Sequence, residues 1–91
     1  MIIKVFANFR EICGGKTVTL SINDGQPIVL ILDQLIERYP LMAEEIFTEE
    51  KLVKPHVHVF INGRNIIHLE GLTTPVKVTD QIALFPPVAG G

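Results

Sequence analysis

The chain has 91 residues, of which 47% are hydrophobic and 20% charged, with a formal net charge of −2. These values are typical of one small globular domain and exclude a disordered chain. They give no basic surface for nucleic acid, no apolar run that spans a membrane and no signal sequence, so we expect a cytoplasmic protein.

The first part of the chain predicts two strands joined by a loop. Residues 1–8 and 17–22 both alternate between apolar and polar side chains, which is typical of half-buried strands. Residues 9–16 lie between them and end in the pair Gly14 and Gly15, which favours a turn. The two strands are therefore expected to form a hairpin.

The middle of the chain predicts the main helix. Pro27 stands where a first helical residue is expected, and Pro40 should end the helix. Between them the apolar side chains recur in steps of three and four, which places them on one face: Ile28, Leu32, Leu35, Ile36 and Tyr39. Residues 41–47 predict a second short helix, because Met42 and Ile46 are four apart, and residues 48–55 predict a charged loop.

The last part of the chain predicts three more strands. Residues 56–61 alternate clearly, and Asn62 with Gly63 is a strong signal for a tight turn into a short returning strand at residues 64–67. Residues 68–79 read as irregular, and residues 81–85 as the final strand.

This element order predicts an α+β protein with the β-grasp (ubiquitin-like) fold. A mixed sheet of about five strands would have its first and last strands parallel and central, with one main helix packed on one face. We predict a domain over residues 1–85 and a flexible, protruding tail over residues 86–91.

The chain end carries the first candidate site. Residues 81–91 contain no charged side chain, and the last six are Pro86, Pro87, Val88, Ala89, Gly90 and Gly91. Proline lacks a backbone N–H, so the sheet must stop there, and the slim residues that follow suit a narrow passage. The Gly91 carboxylate is then the working group. The alternative is a frayed terminus that happens to end in glycine.

The second candidate is the sheet face that the helix leaves open. If Val5, Val57 and Leu84 point at the helix, then Phe6, Phe60 and Phe85 share the opposite face. Three phenylalanines on one open face predict an interaction surface next to the tail. The alternative is that loops fold over these rings and make them a minor core.

Other residues do not favour an active site. His56 and His58 share a strand face, and His68 offers a third ligand, but nothing completes a metal site and we predict none. Cys13 has no histidine close in sequence to act as its base, so we expect a structural thiol. The chain is therefore not expected to be an enzyme.

The whole chain resembles the MoaD/ThiS family of ubiquitin-like sulfur carriers, most of all the MoaD branch, the small subunit of molybdopterin synthase. The resemblance lies in the segments KVFANFREI, LIERYP, VFINGRNI and HLEGLTTPV and in the ending ALFPPVAGG. It implies a non-catalytic carrier that binds no cofactor itself. An adenylating, MoeB-type enzyme would use ATP and Mg to activate Gly91, and a sulfur donor protein would convert it to a thiocarboxylate.

The resemblance also implies roles for other residues. The tail would enter a larger, MoaE-type subunit and deliver sulfur for the molybdenum or tungsten cofactor. Gly90 would give clearance, Val88 and Ala89 would line the passage, and three residues match family positions at the partner interface: Phe6, Arg10 and Phe85.

Two other fates are open, because the FPPVAGG ending is shared by other members of this group. One is a sulfur carrier for cysteine or other sulfur-compound biosynthesis. The other is an archaeal protein modifier that is joined through Gly91 to lysine side chains. All of these fates begin with the acyl-adenylate, so the partner decides between them.

Overall fold

Five strands form one mixed sheet that carries the main helix on one face. The computed structural model describes residues 1–87. The strands are β1 (Ile2–Val5), β2 (Thr17–Thr19), β3 (His58–Ile61), β4 (Arg64–Asn65) and β5 (Ile82–Phe85). The helices are α1 (Asn8–Cys13), α2 (Ile28–Arg38) and α3 (Met42–Ile46), followed by two 3₁₀ turns at Ile66–His68 and Gly71–Thr73. In the part of the chain described, no helix is long and apolar enough to cross a membrane.

The strand order across the sheet is β2-β1-β5-β3-β4. β1 and β5 run parallel, with Ile3 opposite Ile82 and Val5 opposite Leu84. The other pairs, β1 with β2, β3 with β5 and β3 with β4, are antiparallel. The predicted β-grasp topology, with parallel first and last strands inside the sheet, is confirmed.

The core lies between the sheet and the helices. From the central strands, four fully buried side chains face it: Ile3, Val5, Ile82 and Leu84. Four residues of α2 pack there with no exposed surface: Ile28, Ile31, Leu32 and Leu35. α3 adds Met42 and Ile46, also fully buried, so the four-residue spacing that predicted this short helix is confirmed.

The segment between β1 and β2 was predicted wrongly as a loop, and it contains α1. This helix has only six residues, too few to show a helical period in the sequence. Phe9 and Cys13 are four apart and both buried, which is the one helical signal it carries. Gly14 has φ 72°, and the Gly15 N–H donates to the Arg10 carbonyl at 3.0 Å. The glycine pair therefore ends a helix, although β1 and β2 still form the expected antiparallel pair.

Several element boundaries also differ from the prediction. Pro27 is extended, with ψ 150°, and precedes α2 as its N-cap rather than being its first residue. The returning strand stops after Asn65, because the Asn65 side chain accepts the Ile67 N–H at 3.1 Å and turns the chain into a 3₁₀ helix. β1, β2 and β3 are each shorter than the alternation predicted; Ala7 after β1 and His56 before β3, both with positive φ, bend the chain at those two places.

The two edges of the sheet are short. β2 has three residues, and the Arg38 guanidinium donates to the Thr19 carbonyl at 3.0 Å, so this edge carbonyl is already bonded. β4, at the other edge, has two residues before the chain leaves the sheet plane. Little unpaired strand edge is left on either side.

A tight turn at Ala7 ends β1 and starts α1. Ala7 has φ 52° and ψ −132°, a conformation that suits glycine and strains a residue with a Cβ atom. The Phe9 N–H donates to the Phe6 carbonyl at 3.1 Å and closes the turn. The turn sends Phe9 into the core while Phe6 stays on the open face of the sheet.

We expect Ala7→Gly to raise the free energy of unfolding by about 1 kcal/mol, because glycine adopts this conformation without strain. Urea denaturation measures the change. The matched control is Ala43→Gly within α3, which should lower the same quantity by about 0.5–1 kcal/mol because its backbone is helical. A loss of stability in both variants would show that the Ala7 turn stores no strain.

Candidate functional site

Three phenylalanine rings form a continuous row across the open face of the sheet. Phe6 and Phe85 stack with ring centroids 4.2 Å apart and planes 7° apart. Phe60 meets Phe85 edge to face at 5.3 Å and 85°. We refer to Phe6, Phe85 and Phe60 as the aromatic row. Both geometries are among those that aromatic pairs prefer, so the rings hold one another in place.

Arg10 extends the row at its Phe6 end. Its Nε donates to the Val5 carbonyl at 2.9 Å, which fixes the side chain against the end of β1. The guanidinium carbon then lies 5.0 Å from the centroid of the Phe6 ring, within the range of a cation–π contact. α1, the helix that the sequence did not reveal, is the element that brings Arg10 to this position.

The rings are half-buried, so their exposure lies between that of an open interaction surface and that of a minor core covered by loops, the two alternatives drawn from the sequence. They pack on one another but do not join the buried core. A shallow surface groove runs over them, and its wall includes Phe6, Phe60, Phe85 and Pro86 beside Lys4 and His58. Among the described residues no carboxylate lines this groove. The face is therefore an open apolar surface with a cationic margin.

The tail begins at the end of this row. Pro86, which we assigned to the tail, is buried, whereas Pro87 is exposed, so the chain leaves the domain surface between them. The four remaining candidates lie outside the described residues: Val88, Ala89, Gly90 and Gly91. Their roles stay predictions.

The structure places the three histidines on different segments, although His58 and His68 line one cleft. His56 precedes β3 in a left-handed conformation (φ 71°), whereas His58 lies on β3 and His68 in the 3₁₀ turn that follows β4. Within residues 1–87 no three His, Cys, Asp or Glu side chains are placed to hold a metal ion.

Cys13 lies in the core at the end of α1, with 6% of its surface exposed. Burial raises the pKa of its thiol, because the charged thiolate is poorly solvated there. This environment keeps the group protonated and unreactive, which suits a structural thiol.

The structure also brings together residues that sequence reasoning missed. Arg64, Asn65 and His68 line a cleft with His58 and Phe60, at the far end of the aromatic row. For Asn65 the signal was available in the hairpin register, whereas Arg64 pairs with Ile61 and His68 lies beyond the hairpin. A two-residue turn at Asn62 and Gly63 pairs Phe60 with Asn65, and residues paired in this way share one face of the sheet.

Comparison with known proteins gives a consistent family. The model of the ThiS family matches residues 3–91. Small archaeal modifier protein 3 of Haloferax volcanii is 38% identical over 89 residues, which cover 98% of this chain and 96% of that protein. A putative sulfur carrier protein of Archaeoglobus fulgidus is 40% identical over 48 residues, covering 53% of this chain and 54% of that one.

The fold comparison agrees. The crystal structure of SAMP1 from Haloferax volcanii superposes with a TM-score of 0.86 at 29% sequence identity, covering 99% of this chain and 97% of that one. The similarity therefore extends over the whole domain and is not limited to the sheet.

Proposed function

The chain belongs to the ThiS family, and from that premise we propose that it is a ubiquitin-like protein modifier whose C-terminal Gly91 is activated and joined to lysine side chains. Family membership confirms the resemblance that the sequence motifs indicated. The modifier was one of the alternatives left open by the shared ending.

The observation that carries the proposal is the match to small archaeal modifier protein 3, which is 38% identical and runs from end to end of both chains. A relative with this coverage favours the modifier over the molybdopterin branch. The role as a molybdopterin synthase small subunit, with a MoaE-type partner, stays a prediction.

The Gly91 carboxylate is a poor electrophile, so it must be activated before an amine can attack it. In the proposed route an activating enzyme binds ATP and Mg, and the Gly91 carboxylate attacks the α-phosphorus, so that pyrophosphate leaves and a mixed anhydride forms. A lysine amine then attacks the Gly91 carbonyl, AMP leaves, and the amine proton passes to solvent. This chain contributes no catalytic side chain to the route; it presents the terminus.

The geometry supports the aromatic row as the surface that the activating enzyme covers. Pro87, the last residue described, lies two residues after Phe85, and four residues separate it from the end of the chain. Six residues follow Phe85 and span at most about 21 Å, so an enzyme that holds Gly91 must come within a similar distance of Phe85. An apolar row on rigid strands offers it a contact at that place.

A second candidate function is sulfur transfer. The relative from Archaeoglobus fulgidus is described as a putative sulfur carrier protein and is 40% identical over about half of this chain, which supports this second function. In this route hydrosulfide supplied by a sulfur donor protein attacks the Gly91 carbonyl carbon of the acyl-adenylate, AMP leaves, and a thiocarboxylate remains at the terminus. The first step and the docking surface are common to both functions.

If the chain is a modifier, amino-terminally tagged protein purified from its native cells carries covalent conjugates. Digestion with a protease that cleaves after alanine should leave a Gly-Gly remnant on acceptor lysines, because Ala89 precedes the two glycines. Trypsin suits this search poorly, since the last basic residue is Lys77. Mass spectrometry of the digested conjugates identifies the modified lysines.

The matched control lacks only Gly90 and Gly91 and should form no conjugates. Intact-mass measurement of the unconjugated fraction tests the second function in the same sample. A shift equal to the replacement of one terminal oxygen by sulfur, without lysine adducts, would contradict the modifier and favour the carrier.

Phe85→Ala should weaken binding to the activating enzyme more than it weakens the fold. The ring is half-buried, so its loss should cost less than the roughly 3–5 kcal/mol of a fully buried phenylalanine. Calorimetric binding and urea denaturation give the two values.

Phe9→Ala is the contrasting variant, because Phe9 is buried in the core and does not lie on the open face. It should lose stability by the full amount, yet bind normally under conditions in which it is folded. Normal binding by Phe85→Ala with a large loss of stability would place the docking surface elsewhere.

A further inference from the structure

The cleft beyond the aromatic row has its own chemistry. Its walls are His58, Phe60, Gly63, Arg64, Asn65 and His68. The His58 ring lies 6.1 Å from the Phe60 ring, and His58 is opposite Phe85 in the pairing of β3 with β5. The cleft therefore borders the open face along β3, with His58 at the end of the sheet from which the tail leaves and Arg64, which pairs with Ile61, toward the other end.

Asn65 fixes the state of His58. The Asn65 Oδ1 accepts the Ile67 N–H at 3.1 Å, so the oxygen of the amide must point that way. The Asn65 Nδ2 is then the atom 3.0 Å from the His58 Nδ1, and an amide nitrogen can only donate. The His58 Nδ1 must accept, which places the proton of the neutral ring on Nε2.

Two polar side chains of the cleft, His58 and Arg64, present only donors to it. Because its Nδ1 is already hydrogen-bonded to Asn65, neutral His58 offers only its Nε2–H. The Arg64 guanidinium consists of N–H donors and contains no acceptor atom. Within residues 1–87, Arg64 takes part in no ion pair, and no carboxylate lines the cleft. His68 adds a further ring at the rim. A cleft that presents donors and one fixed positive charge suits an anionic acceptor.

We propose that this cleft binds an aspartate or glutamate carboxylate on the protein that activates Gly91. The inference rests on the proposed function and deepens it by giving the chemistry of the partner surface. That protein must approach Phe85 to reach the terminus, and His58 is the residue opposite Phe85. Charge complementarity then favours a partner whose surface is apolar over the aromatic row and acidic beside Arg64.

In this arrangement Arg64 and His58 bind the carboxylate, and Asn65 is a positioning residue. Asn65 does not contact the partner's carboxylate; it holds His58 in the tautomer that donates from Nε2. Phe60 closes the cleft on its apolar side and links it to the aromatic row.

The test is ATP–pyrophosphate exchange by the cognate activating enzyme with the full chain as substrate. Arg64→Gln and Asn65→Asp should each raise KM about tenfold with kcat unchanged, since each weakens a charge-assisted hydrogen bond made on docking. The Asn65→Asp change retains the acceptor for the Ile67 N–H, replaces the donor to His58 by an acceptor, and adds a negative charge that itself opposes a carboxylate, so the tautomer of His58 is measured separately. High salt should reduce the effect of Arg64→Gln.

Arg38→Gln is the matched control, because it removes the same charge at the opposite edge of the sheet and should leave KM unchanged. If KM is unchanged in both Arg64→Gln and Asn65→Asp while the wild-type chain supports normal exchange, the proposal for the cleft is overturned and the proposed function is not. Absence of exchange by the wild-type chain would overturn both the cleft and the proposed function.

The positioning role has a separate readout. Nitrogen-15 NMR of the wild-type chain, well above the ordinary pKa of histidine, should show His58 in the Nε2–H tautomer. Asn65→Asp should change that signature while the urea midpoint moves little. A mixture of His58 tautomers in the wild-type chain would overturn the role of Asn65.

Discussion

The parallel pairing of β1 with β5 is the constraint on which the rest of the structure depends. Parallel strands point the same way, so the residues that follow each of them emerge at the same end of the sheet. This is why Phe6, which follows β1, stacks on Phe85 at the end of β5. It also means that the chain end departs from the middle of the sheet, with structured neighbours on both sides.

The two strands beside β5 each bring a different set of side chains to the place where the chain end leaves the sheet. On the β1 side, the turn at Ala7 lets α1 return Arg10 over the Phe6 ring. On the β3 side, the hairpin returns Arg64 and Asn65 beside His58. An apolar centre thus lies between two cationic ends, although the chain as a whole has a net charge of −2. The acidic residues of α3, Glu44 and Glu45, belong to the helical layer.

Much of this was predictable from the sequence, and the failures share a cause. Alternation revealed the strands, and steps of three and four revealed α2, because both patterns extend over enough residues to show a period. α1 is too short for that, and the glycine pair at its end resembles a hairpin turn as much as a helix cap. The single hydrogen bond from the Ile67 N–H to Asn65, which shortens β4, leaves no periodic trace at all.

In the candidate site, too, some residue positions were predictable from the sequence and others were not. The shared face of Phe6, Phe60 and Phe85 followed from alternation alone, and the contacts between the rings confirm it. The placement of Arg10 depended on a helix that the pattern did not reveal, although the family resemblance had suggested the residue. The place of Asn65 in the cleft followed from the hairpin register that the Asn62–Gly63 turn implied, whereas that register pairs Arg64 with Ile61 and did not predict its place there.

The short sheet edges have a consequence for how the molecule behaves at high concentration. At the β2 edge the Arg38 side chain donates a hydrogen bond to the Thr19 carbonyl, and at the other edge β4 is only two residues long. Strand-by-strand growth into fibres needs long unpaired edges, so that route of aggregation is largely closed. Association between copies of the chain is then left to contacts between side chains, and the aromatic row is an apolar surface on which such contacts can form.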